Sequence, residues 1–170
     1  MMSTSFTLTS AEFSEGSHLD AAYQADRDNQ SPALQWQGAP AETRSFAIAM
    51  HDPDAPTGGA GWWHWLAFNI PADTQALPRN AGAAGGDNMP AGTRQMRNDG
   101  GNLGYMGCYP PEGDPAHRYI FTVYALNTDK LDIAADATTS LAGFMVNAHT
   151  VAKASLTAYY ARPAAAAESV

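Results

Sequence analysis

The chain has 170 residues, 45% hydrophobic and 15% charged, with a formal net charge of −8. That length suits one domain with a sizeable core, and that composition excludes general disorder. Nine basic residues scattered singly along an acidic chain form no patch to neutralise phosphates, which argues against nucleic-acid binding; the acidity reads as ordinary solubility.

A single cysteine, Cys108, excludes an internal disulfide framework and a cysteine zinc site. Met1-Met2-Ser3-Thr4-Ser5 carries neither the basic nor the apolar region of a signal peptide. No apolar run approaches the roughly 20 residues needed to cross a bilayer. The expectation is a soluble, cytoplasmic protein without a transmembrane segment.

In chain order, residues 1–5 read as a flexible terminus. Phe6-Thr7-Leu8-Thr9 alternates apolar and polar residues as an edge strand does. Ser31 to Trp36 is a second extended segment, bounded by Gly38 and Pro40. Ser45 to Met50 reads as a buried strand with Phe46, Ile48 and Met50 on one face. Trp63 to Ile70 is the next strand, closed by Pro71. Strict alternation there puts His64, Leu66, Phe68 and Ile70 on one face and Trp63, Trp65, Ala67 and Asn69 on the other.

From Pro78 to Gly107 the chain is dense in Gly, Asn, Asp and Pro, a connection long enough to suggest function. Arg118 to Leu126 (RYIFTVYAL) is apolar on both faces and predicts a central strand. Thr138 or Thr139 can cap a helix that carries Leu141, Phe144, Met145 and Ala148 at helical spacing. An Ala-rich stretch from about Val151 to Ala161, with Pro163 just beyond, predicts a second helix. Strands first and helices last predict a mainly β domain over residues 6–162 with peripheral C-terminal helices, and a flexible tail at 163–170.

Titratable groups cluster beside stiff backbone. Asp52 and Asp54 flank Pro53, with Pro56 following, and X-Pro geometry keeps that turn rigid. Taken alone, it reads as a strand-ending turn whose aspartates cap amides. A lone His64 would read as a satisfied core histidine. Asp52 and Asp54 upstream, and His117 at the mouth of another strand, shift the balance toward a polar patch with tunable protonation. His117 and Tyr119 share strand parity and offer an imidazole and a phenol to an oxygen-rich ligand. Arg118 faces the other way, which suits a structural ion pair.

His18, His51 and His149 are weaker candidates, and Cys108 reads as an incidental thiol. A metal site can be composed from His64, His117 and Asp52, but no diagnostic spacing supports it, so no metal or cofactor is expected. No nucleophile elbow, phosphate loop or zinc-protease motif is present.

Several ordered motifs resemble the phosphatidylethanolamine-binding protein family, in its bacterial Raf kinase inhibitor-like (YbhB/YbcL-type) branch. They are DPDAPTG at Asp52–Gly58, GWWHW at Gly61–Trp65, the Gly104–Pro111 loop, HRYIFTVYAL at His117–Leu126 and the segment from Gly143. The resemblance runs from about Ser31 to Arg162. It implies a β-sandwich of one large central sheet and a smaller one, with a pocket at strand ends that accepts phosphate or a phosphorylethanolamine head group. Carried over by motif, the pocket residues would be Asp52, Asp54, Pro56, Trp62, His64, Pro110, Pro111, His117 and Tyr119. The usual Gly-Pro-x-Pro-Pro loop is here Gly107-Cys108-Tyr109-Pro110-Pro111, which frees the backbone at Cys108 and puts Tyr109 at the rim.

The expected function is therefore non-catalytic binding of a small anionic or phospho-headgroup ligand, with His64 or His117 becoming cationic as the anion binds. An enzyme using His64, Asp52 and His117 for general acid–base chemistry is the leading rival. The third reading is a regulatory protein–protein module using the rim of the Pro78–Gly107 loop. The resemblance also leaves room for a homodimer, while kinase inhibition itself does not transfer from motifs.

Overall fold

The computed structural model describes residues 5–163. Its elements in chain order are β1 (Thr7–Thr9), β2 (Leu34–Gln37), β3 (Ser45–Asp52), β4 (Trp62–Pro71), β5 (Ala76–Leu77), β6 (Arg94–Gln95), β7 (His117–Leu126), α1 (Thr139–His149) and β8 (Thr150–Tyr160). The expectations for the termini fall outside the described residues, except at Ser5 and Pro163.

Two antiparallel sheets result, one with strands in the order β1-β2-β5 and one in the order β6-β4-β3-β7-β8. β3 explains the centre of the larger sheet. Phe46, Ile48 and Met50 face one core, while Ala47 and Ala49 face a second. A strand buried on both faces must have neighbours on both edges, and β4 and β7 supply them. The first core lies between the sheets, where Leu8, Leu34 and Trp36 meet Phe46, Tyr119, Phe121 and Val123. The second lies between the large sheet and α1 and includes Leu66, Phe68, Leu126, Ala142 and Val146.

The predicted second helix is a strand. β8 pairs with β7 along its length, from His117↔Tyr160 to Leu126↔Thr150. Ala154, Leu156, Ala158 and Tyr160 are buried at every second position, a period of two that alanine content masks. The free edge of β7 decides the outcome, because it offers the segment a full ladder of backbone hydrogen bonds. A single α-helix therefore remains among the described residues, and the last element is a strand.

The helix itself forms as expected, with the Thr138 hydroxyl accepting from Leu141 N at 3.0 Å and His149 in its last turn. Its buried face differs from the prediction. Thr139, Ala142, Gly143 and Val146 face the sheet, while Leu141 is 51% and Phe144 70% exposed. Small residues let the helix approach the indole of Trp63 closely, and the larger apolar side chains are left outside.

Strict alternation along β4 is also overturned. His64 is an extra residue opposite the Met50–His51 step, and Phe68-Asn69 together pass the single residue Ala47. Asn69 takes φ +61°, and its amide side chain holds both backbone groups of Leu131, at 2.8 and 3.3 Å. The shifts turn Trp65, Ala67 and Ile70 into the inter-sheet core and Leu66 and Phe68 toward the helix. No helix among the described residues is long and apolar enough to cross a membrane.

Two glycines separate packing from propensity. A Cβ at Gly107 would lie 2.0 Å from Tyr23 O, whereas at Gly143 its nearest neighbour would be Trp63 at 3.8 Å. Gly107→Ala is expected to cost about 3 kcal/mol or more. Gly143→Ala should stabilise by about 0.5–1 kcal/mol through helix propensity. Urea denaturation of both variants checks the contrast; equal effects would contradict it.

Candidate ligand-binding site

The ends of three neighbouring strands converge. β3 finishes at Asp52, β4 begins with Trp62 and His64, and β7 begins with His117 and Tyr119. Asp52 and Trp62 are register partners, so the intervening turn must reverse the chain tightly. Gly61 permits this with φ +71°, where a Cβ would strike Asp52 O at 2.5 Å.

Asp52, Pro56, Trp62, His64, Pro110, Pro111, His117 and Tyr119 line a single cavity of about 270 Å³. Ala55, Thr57, Met106 and Tyr109 complete its wall. Asp54 does not line it. Its carboxylate takes Arg118 Nε at 3.0 Å, Nη2 at 2.8 Å and the Arg118 backbone N–H at 2.8 Å. These bonds from Arg118 outweigh burial and hold the Asp54 carboxyl at about 2. The expected structural ion pair of Arg118 thus exists, and Asp54 is its partner. Stability from Asp54 is present above its unfolded value of 3.8 and is lost as pH falls toward about 2.

His117 is held from both sides. Nδ1 is 2.7 Å from Asp52 Oδ2 and Nε2 is 3.0 Å from Asp114 Oδ2. A carboxylate only accepts, so both ring nitrogens carry protons in the best-bonded state. Burial works against that charge, but the Asp52 and Asp114 hydrogen bonds outweigh it and raise the His117 pKa. Asp52 is fixed in turn, its Oδ1 accepting from Asp54 N at 2.8 Å.

His64 has the opposite environment. Its ring is buried and donates from Nδ1 to Met106 O at 2.8 Å, while Met106 N donates to His64 O at 2.8 Å. Burial dominates and lowers its pKa, with the Met106 carbonyl and Asp52 working against that shift. His64 is therefore neutral, with Nδ1 protonated and a lone pair on Nε2. The Tyr119 ring meets it edge-on at 5.3 Å. Burial and nearby Asp52 keep the phenol protonated. Two buried polar atoms on cavity-lining residues, Trp62 Nε1 and Tyr119 Oη, have no hydrogen-bond partner.

Other candidates lie elsewhere. His51 packs on Trp63 with ring centroids 4.5 Å apart, and its Nε2 meets Ala60 O at 3.1 Å. Cys108 is fully buried, and burial pushes its thiol up to about 12, so it stays protonated. No group of three or more His, Cys, Asp or Glu among the described residues is arranged to hold a metal ion. Sequence reasoning missed Asp114. The signal was its place three residues before His117, with Pro115 fixing the turn between them.

Fold and site together define a two-sheet β protein with a small cavity at its strand ends. The sequence profile of the phosphatidylethanolamine-binding protein family matches residues 9–161, and the chain belongs to that family, in its YbhB/YbcL-type bacterial branch. YbcL of Escherichia coli is 43% identical over 160 residues, covering 91% of this chain and 87% of YbcL. Its crystal structure, described as a new member of the mammalian PEBP family, superposes with a TM-score of 0.89 over 92% of this chain and 98% of that one. YbhB of the same organism is 49% identical over 135 residues, 79% of this chain and 84% of YbhB. The PEBP homologue CT736 of Chlamydia trachomatis is 28% identical with a TM-score of 0.80, covering 94% and 99% of the two chains.

The two histidines pull stability in opposite directions. His117 stabilises the fold below its unfolded value of 6.5, and that contribution is lost as pH rises through its higher folded value. His64 destabilises as pH falls below 6.5, because only the unfolded chain takes its proton readily. Histidine-resolved NMR titration should place His117 above 6.5 and His64 below it, with Asp52→Asn lowering His117. The reverse order would overturn the charge assignment.

Proposed function

We propose that the cavity binds a small anionic ligand, phosphate or a phosphorylated head group, and that His64 takes up a proton when it does. The observation that carries this reading is the pair of orphaned polar atoms, Trp62 Nε1 and Tyr119 Oη, on two cavity-lining residues whose rings flank His64. An indole N–H can only donate and a phenol donates readily, so both suit an acceptor-rich ligand. Leaving such groups unpaired costs about 1–3 kcal/mol each, which a bound oxygen recovers.

Formal charges refine the reading. Asp52 and Asp114 balance and exceed His117, and Arg118 is committed to Asp54. An anion therefore finds donors but no free cation among the cavity's described residues. His117 has both nitrogens engaged, which leaves His64 as the group able to add charge. Protonation at its Nε2 converts the lone pair into a third donor and offsets the carboxylates.

The enzyme reading has less support, because His117 is occupied at both nitrogens and His64 would act alone. The protein-module reading draws on Leu103, which is 41% exposed in the long Pro78–Gly107 connection. Neither leads to the orphaned donors.

Phosphate affinity should rise as pH falls through the histidine range, with protons taken up on binding. Calorimetry in buffers of different ionisation enthalpy measures that uptake. Sulfate, which does not titrate there, should show the same trend, and His64→Gln should abolish it. Tyr119→Phe should weaken binding about 5–30-fold at every pH. Sulfate binding that is flat with pH and takes up no proton would refute the proposal.

A further inference from the structure

One wall of the cavity is held by a residue that does not line it. Arg162 follows β8 by two positions, and its guanidinium lies 3.8 Å from the centroid of the Tyr109 ring. Its Nε donates to Pro110 O at 2.7 Å, and Nη1 lies 3.4 Å from Glu112 Oε1. The Arg162 carbonyl accepts from Gly113 N at 3.0 Å. Stacking, a charge-assisted hydrogen bond, an ion pair and a backbone bond thus join one residue to Tyr109, Pro110, Glu112 and Gly113.

The need for such a brace follows from the loop's chemistry. Cys108 is anchored by its own backbone, donating to Tyr23 O at 3.1 Å and accepting from Ala25 N at 3.0 Å. Pro110 and Pro111 have no N–H to donate to any neighbour. Tyr109 is 44% exposed, yet its ring forms part of the cavity wall. A planar, weakly hydrated guanidinium can stack on that ring while its edge bonds the next carbonyl; an ammonium does one or the other. The Arg162 side chain is 17% exposed, so the contact is partly shielded from water and salt.

We propose that Arg162 is a positioning residue for the cavity, fixing Tyr109 and Pro110 as one rigid wall and so setting the width available to a ligand. This rests on the ligand-binding reading of the same cavity. Tyr109 becomes the residue that sets ligand size, at the variable position of the Gly-Pro-x-Pro-Pro pattern, directly after the Cys108 that stands in place of its first proline.

The test uses the full chain, inorganic phosphate as probe, and the Trp62 indole N–H NMR signal as reporter, with Tm measured in parallel. Arg162→Ala should weaken phosphate about three- to tenfold with little change in Tm. It should also shift the Trp62 signal and speed amide exchange at Tyr109. Arg162→Lys, which keeps the charge but not the combined stack and hydrogen bond, should lose part of the affinity; it carries the test if the alanine variant does not fold. Unchanged phosphate affinity in both Arg162 variants would overturn the proposal. A parent protein that binds no phosphate would refute the ligand reading instead. The Trp62 signal and Tyr109 exchange then decide for Arg162: altered in the variant they uphold the brace, unaltered they remove it.

Discussion

Asp52 and His117 meet at 2.7 Å with side chains 3% and 5% exposed, and the strand ends that line the cavity are arranged around that contact. A charge pair so far from water is favourable only if its remaining lone pairs and protons are also bonded. They are: Asp54 N completes Asp52, and Asp114 completes His117. The pair joins the end of β3 to the start of β7, strands already adjacent in the sheet. It also fixes the ring plane of an imidazolium at the cavity wall. Removing either partner would strand a buried charge at the place where the cavity begins.

The same end of the sheet divides labour between two histidines with opposite surroundings. His117 sits between carboxylates and keeps its proton, while His64 sits against a backbone carbonyl and apolar rings and gives its proton up. Environments of this kind push the two pKa values apart, upward at His117 and downward at His64. The bulge at His64 makes the division geometrically available. Without the extra residue, β4 would send that ring toward the α1 side of the sheet, with Leu66 and Phe68.

Rigidity in the cavity comes from several unrelated sources. Regular ladders hold Asp52, Trp62, His117 and Tyr119, while Met106 holds His64, its carbonyl accepting from the ring Nδ1 and its N–H donating to the His64 carbonyl. The Tyr109–Pro111 wall, which has no ladder of its own, is tied from outside by Arg162. Binding sites on braced elements lose less entropy on capturing a ligand. A cavity of about 270 Å³ can then hold a compact group without the loop having to order around it.

Much of the architecture was legible locally. The period-two runs at Phe46–Met50 and in RYIFTVYAL produced strands because each has enough apolar side chains to need cover on both faces. The Thr138 cap and the Arg118 ion pair followed from side-chain chemistry and parity. Val151–Ala161 misled because alanine favours a helix in isolation, whereas the exposed edge of β7 rewards extension. Leu141 and Phe144 misled because close helix–sheet approach favours small residues over large ones. Strand parity in β4 failed at His64 and Asn69, since a bulge depends on the partner strand's register and leaves little trace in one segment.

The sequence by itself determined a β-rich domain, its principal strands and a short list of polar candidate side chains at the strand ends. Only the tertiary structure decided their roles: Asp54 withdrawn to Arg118, Asp114 recruited to His117, His64 kept neutral, and Arg162 set behind Tyr109. The reason is that protonation and hydrogen-bond commitment depend on which groups lie within about 3 Å of one another. Chain positions separated by dozens of residues reach that distance only once the sheets have closed.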